Sequence, residues 1–246
     1  MKEILENERI DDLEYKGLKI IQNTNYFCFG IDSILLSDFA RDIKKDSNIV
    51  DIGTGTGIIS ILLSKKVNAK KIYAIEVQKE IADMANRSVD LNNLTDKIEI
   101  INDNIKNIKN HLDNNSINAI VTNPPYKKQN TGIKNDNINK LIARHEVTAN
   151  LEDFISYGSK LLKDQGSFYM VNRPERLSEI MCLFNKYKIE PKKLRLVYPK
   201  INKESNLILI KGTKNAKPFL EIQKPLIIYN EDNTYTDEIL KIYNKK

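Results

Sequence analysis

Tryptophan is absent from the 246 residues, and cysteine and histidine occur only twice each. Two cysteines as far apart as Cys28 and Cys182 do not make a disulfide framework and suit a reducing compartment, so a cytoplasmic placement is expected. Both lie among apolar neighbours and read as small buried hydrophobes. His111 and His145 have no partners at ligand spacing, so no metal site is expected. No apolar run approaches the roughly 18 residues of a membrane span. The opening MKEILENERIDDLE is acidic, which excludes a secretory signal as an expectation. With only 9 glycines and 7 prolines, no linker divides the chain. It reads as one domain over residues 1–246, with an N-terminal extension (1–30), a core (31–212) and a C-terminal extension (213–246). At 41% hydrophobic and 29% charged residues, such a length can bury a sizeable core.

Arginine is scarce as well, 7 against 32 lysines, and the charge is unevenly spread. Residues 1–123 hold 16 basic and 19 acidic side chains, a net of −3, whereas residues 124–246 hold 23 and 14, a net of +9. A basic half argues for a polyanionic partner rather than for any fold.

Short apolar runs alternate with helical patterns. Strands are predicted over residues 48–52, 72–75, 98–101, 117–122, 167–171, 194–198 and 207–210. Helices are predicted over 56–66, 78–91 and 151–162, more weakly up to residue 112, and over 174–187, where Pro174 opens the first turn. Residues 17–21 look strand-like, and the Asn- and Lys-rich residues 127–140 read as a long mobile loop. Alternation of this kind implies an α/β fold with a seven-stranded, mostly parallel sheet and helices on both faces. The last two strands are joined by too few residues for a helical crossover and must pair antiparallel, near one edge.

Three glycines fall in one window, Asp51-Ile52-Gly53-Thr54-Gly55-Thr56-Gly57, between a strand and a helix. Glycines there permit positive φ and close backbone approach to a ligand. The spacing is G-x-G-x-G after an acid, which fits neither the dinucleotide fingerprint G-x-G-x-x-G nor a P-loop. Glu76 ends the next strand, where a carboxylate can accept both hydroxyls of a ribose, and Asp103 ends the third, where an adenine amine would lie. Three acids in phase with three strands point to a bound nucleoside. The fourth strand runs into Asn123-Pro124-Pro125-Tyr126. Its two prolines fix φ and hold the preceding residues extended, presenting an amide, a carbonyl and an aromatic ring on a rigid turn.

Together these features resemble the class I S-adenosylmethionine-dependent methyltransferases, and Asn123–Tyr126 resembles the (N/D)PP(Y/F) motif of their amino-group N-methyltransferases. The resemblance implies a Rossmann-like fold, with S-adenosylmethionine held by Asp51, Gly53, Thr54, Gly55 and Gly57 at its methionine end. It places Glu76 and Val77 at the ribose and Asp103 and Asn104 at the adenine, with Asp32 and Asn123 also bordering the cofactor. Asn123, Pro124, Pro125 and Tyr126 would carry the chemistry. The Asn123 oxygen and the Pro124 carbonyl would accept the two N–H bonds of a planar amine, while Tyr126 stacks on the substrate.

Four further stretches, residues 27–36 (FCFGIDSILL), Ala143-Arg144-His145-Glu146, 198–212, and Pro225–Tyr229 with Tyr235-Thr236 downstream, are similar to the bacterial tRNA1(Val) (adenine-37-N6)-methyltransferase family. This similarity implies tRNA as partner, with Lys127, Lys128, Phe29 and Arg144 beside Tyr126 as substrate contacts, and a monomeric enzyme free of metal and membrane. Protein-glutamine N5-methyltransferases share the Asn-Pro-Pro-Tyr turn but carry a helical substrate domain in front, and only 47 residues precede the first core strand here. DNA adenine methyltransferases need an added recognition region, and ribosomal guanine N2-methyltransferases tend to have Phe at the Tyr126 position. A non-catalytic RNA-binding module would not require all of these residues together.

Overall fold

The computed structural model describes residues 4–26, 29–126 and 149–245. The chain opens with an antiparallel hairpin, β1 (Glu8–Asp12) and β2 (Lys19–Asn23), then α1 (Ile31–Phe39). Four strands follow: β3 (Ser47–Ile52), β4 (Ala69–Ile75), β5 (Ile98–Ile101) and β6 (Ile117–Thr122). They are linked in turn by α2 (Ile58–Lys66), α3 (Lys79–Leu91) and the 3-10 turns at Ile105–Asn110. Beyond residue 148 come α4 (Leu151–Leu161), β7 (Leu162–Asn172), α5 (Leu177–Lys186), β8 (Ile189–Tyr198) and β9 (Leu207–Lys214). Two short strands, β10 (Glu221–Ile222) and β11 (Leu226–Ile227), and the helix α6 (Asp237–Ile242) complete the described chain.

The expected seven strands are present in the order β5-β4-β3-β6-β7-β9-β8. β9 runs antiparallel to both neighbours, as the short connection from β8 demands. The sheet is wider than expected because β10 and β11 each pair parallel with the outer edge of β8. Strands of two residues carry no periodicity to read, yet they cover an edge that would otherwise be open.

Side chains alternate between the two faces, as a pleated strand requires. On β7, Tyr169 and Val171 join one core layer with α1, α2 and α6, while Phe168 and Met170 join the other with α4 and α5. Phe168 and Phe184 meet edge to face at 5.4 Å, an arrangement worth about 1 kcal/mol beyond its burial. Helix α4 starts with a reciprocal capping box between Asn150 and Asp153 and runs straight into β7. The predicted helix over 174–187 divides into a 3-10 turn at Pro174–Arg176 and α5. Cys182 is exposed rather than buried. On α5, Ile180 and Phe184 face the core one turn apart, which turns the residue between them outward. Cys28 lies outside the described residues.

The N-terminal hairpin is fastened to α3. Arg87 donates to both oxygens of Glu8 at 2.6 Å and to Asp83 at 2.7 Å. Ile21 N donates to Ser88 Oγ at 3.0 Å, and Asn92 bonds both the N–H and the carbonyl of Lys19. These bonds hold the hairpin against α3.

Candidate active site

β3 to β8, apart from the 3-10 turns and helices between them, run in one direction, so their carboxyl ends share one rim. Asp51 sits near the end of β3 and is fully buried. Thr54 Oγ1 and Ser60 Oγ donate to its Oδ2 at 2.6 and 2.8 Å. Its Oδ1 is buried with no hydrogen-bond partner among the described residues. Burial pushes the carboxyl up to about 6; the two hydroxyls oppose this and the nearby charge of Glu76 adds to it. The loop after Asp51 turns through φ values of 73°, 59° and 91° at Gly53, Gly55 and Gly57. A side chain at any of the three would be strained, which explains the glycine spacing. Gly53 N and Thr54 N both donate to the Ile75 carbonyl at 2.9 Å, locking the loop to the end of β4.

Glu76, at that end, is 1% exposed. One oxygen accepts from Gly55 N at 3.1 Å and the other from Gln78 N at 2.9 Å, so the carboxylate links the glycine loop to the start of α3. Asn102 Nδ2 donates to the carbonyls of Glu76 and Val77 at 2.9 and 3.3 Å. Asp103 follows β5. Its Oδ1 accepts from Asn107 Nδ2 at 2.9 Å and from Asn104 N at 2.6 Å, and its Oδ2 lies 2.9 Å from His111 Nε2. These partners, Asn107 first, hold its carboxyl below the usual range. Asn104 uses its side-chain oxygen to cap the following 3-10 turn through Lys106 N. His111 gave no signal in the sequence, because its approach to Asp103 depends on that turn.

Asn123 emerges from β6, whose last residue is tied to β3 by Thr122 Oγ1 donating to the Ile52 carbonyl at 2.8 Å. Its side chain does not hang free. Nδ2 donates to Asp32 Oδ2 at 3.1 Å and approaches Ser33 Oγ at 3.4 Å. Tyr126 OH donates to the same Asp32 Oδ2 at 2.6 Å. Burial, together with the charge of Asp32, raises the Tyr126 phenol well above its ordinary value, so it remains a proton donor. The guanidinium of Arg173, just beyond β7, lies 5.0 Å from the centre of the Tyr126 ring. It is steered there by Nη1 donating to the Asn206 carbonyl at 2.9 Å. Phe29 N donates to Gln22 Oε1 at 2.8 Å, and the Phe29 ring joins the core layer that Tyr126 touches.

The structure thus gathers Asp51, the glycine loop, Glu76, Val77, Asp103 and Asn104 along one half of the rim. Asp32, Asn123–Tyr126 and Phe29 lie toward the other. Asp32, expected to border the cofactor, has both oxygens engaged by Asn123, Tyr126 and the Ser33 N–H. Ser33 and Arg173 complete this cluster and carried no signal in the sequence. Lys127, Lys128 and Arg144 lie outside the described residues, as does the expected loop over 127–140.

An open sheet with acids at three consecutive strand ends and an Asn-Pro-Pro-Tyr turn at a fourth defines a methyltransferase. Residues 19–190 match the methyltransferase small domain family, and the chain belongs to that family. It is similar over its length to proteins named tRNA1(Val) (adenine(37)-N6)-methyltransferase. The one from Porphyromonas gingivalis is 26% identical over 94% of this chain and 93% of that protein. The Pasteurella multocida protein is 28% identical over 86% of each. Among solved structures, an Agrobacterium tumefaciens protein described as a predicted O-methyltransferase superposes with a TM-score of 0.70 at 19% identity, covering 87% of this chain and 95% of that one. Trm5 of Methanocaldococcus jannaschii, solved with adenosine, gives 0.61 at 18% identity over 86% of this chain and 56% of that one.

Proposed function

We propose that this chain methylates the N6 amine of an adenine in tRNA, adenine 37 of tRNA1(Val), with S-adenosylmethionine as methyl donor. The observation that carries the reading is the orientation of Asn123. A carboxylate oxygen only accepts, so the group facing Asp32 is the amide NH2, and Oδ1 is left as an acceptor for a substrate amine.

The cofactor's donor set fits. Asp51 Oδ1 is a buried acceptor without a partner, suited to a cationic or N–H group, and the three left-handed glycines let the backbone approach closely. Asp51 with Gly53–Gly57 would hold the methionine end, Glu76 the ribose hydroxyls, and Asp103 with Asn104 the adenine. When bound, the cofactor supplies an electrophilic methyl group on a sulfonium.

The remaining work belongs to Asn123, Pro124 and Tyr126. An adenine amine is planar, its lone pair delocalised into the ring. Accepting one N–H at Asn123 Oδ1 and the other at the Pro124 carbonyl favours a pyramidal nitrogen with its lone pair turned outward. Stacking on Tyr126 holds the base, and holding the reacting atoms about 3–3.5 Å apart supplies much of the acceleration. Adenine must leave its stack to reach this turn, at a cost of a few kcal/mol. The basic half of the chain and Arg173 offset that cost through the phosphate backbone. A protein-glutamine reading is disfavoured by the relatives, which are named as tRNA adenine-N6 methyltransferases.

The test is transfer of labelled methyl from S-adenosylmethionine to unmodified total tRNA, followed by nucleoside analysis. N6-methyladenosine in the tRNA is the expected product. Label only in protein glutamine, or in no acceptor, overturns the reading.

A further inference from the structure

Asp32 belongs to the first turn of α1, 91 residues before Asn123 and 94 before Tyr126. It is 7% exposed, and its interactions all run inward. Oδ2 receives the Asn123 amide and the Tyr126 hydroxyl together. Oδ1 receives the Ser33 N–H at 2.9 Å. Just before the helix, a Cβ on Gly30 would stand 2.9 Å from the same Oδ1. Gly30 has φ −107°, which any residue adopts. Space for the carboxylate, rather than backbone freedom, is therefore what favours glycine at this position.

We infer that Asp32 is a positioning residue for methyl transfer: it dictates which atom of Asn123 meets the substrate amine and fixes the hydroxyl end of the Tyr126 ring, without touching substrate or cofactor. This rests on the reading of Asn123 given above.

The chemistry requires an acid at this position. Asn123 can rotate its amide by half a turn with little change in shape, and the rotated form would present NH2 to an amine that itself only donates there. A carboxylate removes that alternative, because neither of its oxygens can donate to Asn123 Oδ1. A charged acceptor on the NH2 side also draws density toward Asn123 Oδ1 and strengthens it as an acceptor. An amide at position 32 would lose both effects. With NH2 toward Asn123 it would invert the catalytic side chain, and with oxygen toward Asn123 it would set its own NH2 against the Ser33 N–H.

Four variants test this: Asp32→Asn, Gly30→Ala, Asn123→Ala and the double variant Asp32→Asn/Asn123→Ala. Each is assayed for methyl transfer to unmodified tRNA and, by calorimetry, for S-adenosylmethionine binding. Asp32→Asn is expected to lower kcat by about 10- to 100-fold with the cofactor Kd within about twofold of the parent. Gly30→Ala, which displaces the carboxylate but removes no polar group, is expected to lower kcat in the same direction. In the Asn123→Ala background, Asp32→Asn should cost less than about threefold, since residues acting through one another are not additive. A cofactor Kd that rises in step with the loss would make Asp32 a cofactor ligand and overturn the inference, as would full additivity. If the parent enzyme methylates no tRNA, the functional reading fails separately. Asp32 is then judged by the Asn123 side-chain amide in a nitrogen-edited NMR spectrum, assigned by its loss in Asn123→Ala. It should be protected from solvent exchange in the parent and unprotected in Asp32→Asn and Gly30→Ala. An amide equally protected in all three overturns the inference.

Discussion

The two halves of the rim each bury acids, but they hold them in different ways. At the half proposed for the cofactor, Asp51 Oδ2 accepts from residues three and nine positions away, and Glu76 accepts from the N–H groups of residues two and twenty-one positions away. At the transfer half, Asp32 is satisfied across 91 and 94 residues. The first is a loop that carries its own ligands. The second exists only once α1 has docked against the end of β6. A compact local motif can therefore bind, whereas the geometry that reacts depends on tertiary assembly, and substitutions in the two halves should separate affinity from turnover.

The largest effect that would sharpen this contrast is at Asn123. Replacing it with Ala removes the acceptor proposed for the amine, and kcat is expected to fall by about 10³-fold. The cofactor Kd should stay within about threefold, as measured by calorimetry. A parallel loss of affinity would merge the two halves and break the comparison. Next in size is Glu76→Ala. It removes the carboxylate that accepts from Gly55 N and Gln78 N. Losing the proposed ribose contacts and loosening the glycine loop should weaken cofactor binding by about 10- to 100-fold. At saturating cofactor, kcat should recover to within a few-fold of the parent. An unchanged Kd would remove Glu76 from the ribose.

The same contrast explains what could be read from the residues alone. The strand ends, the G-x-G-x-G loop and the Asn-Pro-Pro-Tyr turn were legible because each is local: period, spacing and the fixed φ of proline announce them. The antiparallel β9 followed from the length of one connection. What was not legible depended on packing. The contacts of Asp32 with Asn123 and Tyr126 were among these, since nothing near residue 32 reveals a partner beyond residue 120. Ser33, Arg173 and His111 were silent for the same reason. The strands β10 and β11 were too short to show a pattern, and Cys182 was misjudged because apolar neighbours in sequence say little about which side of α5 faces out.

A smaller effect is expected at Arg173, beside the Tyr126 ring. Its guanidinium lies over Tyr126 and is fixed by the Asn206 carbonyl. Arg173→Ala should raise the KM for tRNA about three- to tenfold and leave cofactor affinity unchanged. The salt dependence of tRNA binding should become shallower by roughly one charge if the side chain meets a phosphate. An unchanged salt slope with a lower kcat would instead mean that Arg173 acts by holding the Tyr126 ring, drawing it into the transfer machinery.

The smallest effect concerns Asp51 and is read as a pH dependence of stability. Its carboxyl is raised from 3.8 to about 6 in the folded protein, chiefly by burial. Between those values the folded state binds more protons than the unfolded one, so stability falls as pH rises. The penalty is absent below about pH 4, grows toward pH 6 and is constant above it, with an upper bound of ~3 kcal/mol. Asp51→Asn abolishes this dependence. Because the new amide NH2 would bury donors where Oδ1 lacks a partner, the slope rather than the absolute stability is diagnostic. Thermal melts of the cofactor-free protein at pH 4 to 8 should show the difference, variant minus parent, rising by several degrees with pH. A cationic group of the cofactor beside Oδ1 would return the carboxyl toward its ordinary range. Saturating S-adenosylmethionine should therefore flatten the parent's curve toward that of the variant. If the melts of parent and variant run parallel, Asp51 is ionised in the folded protein without penalty, and its burial does not raise its carboxyl.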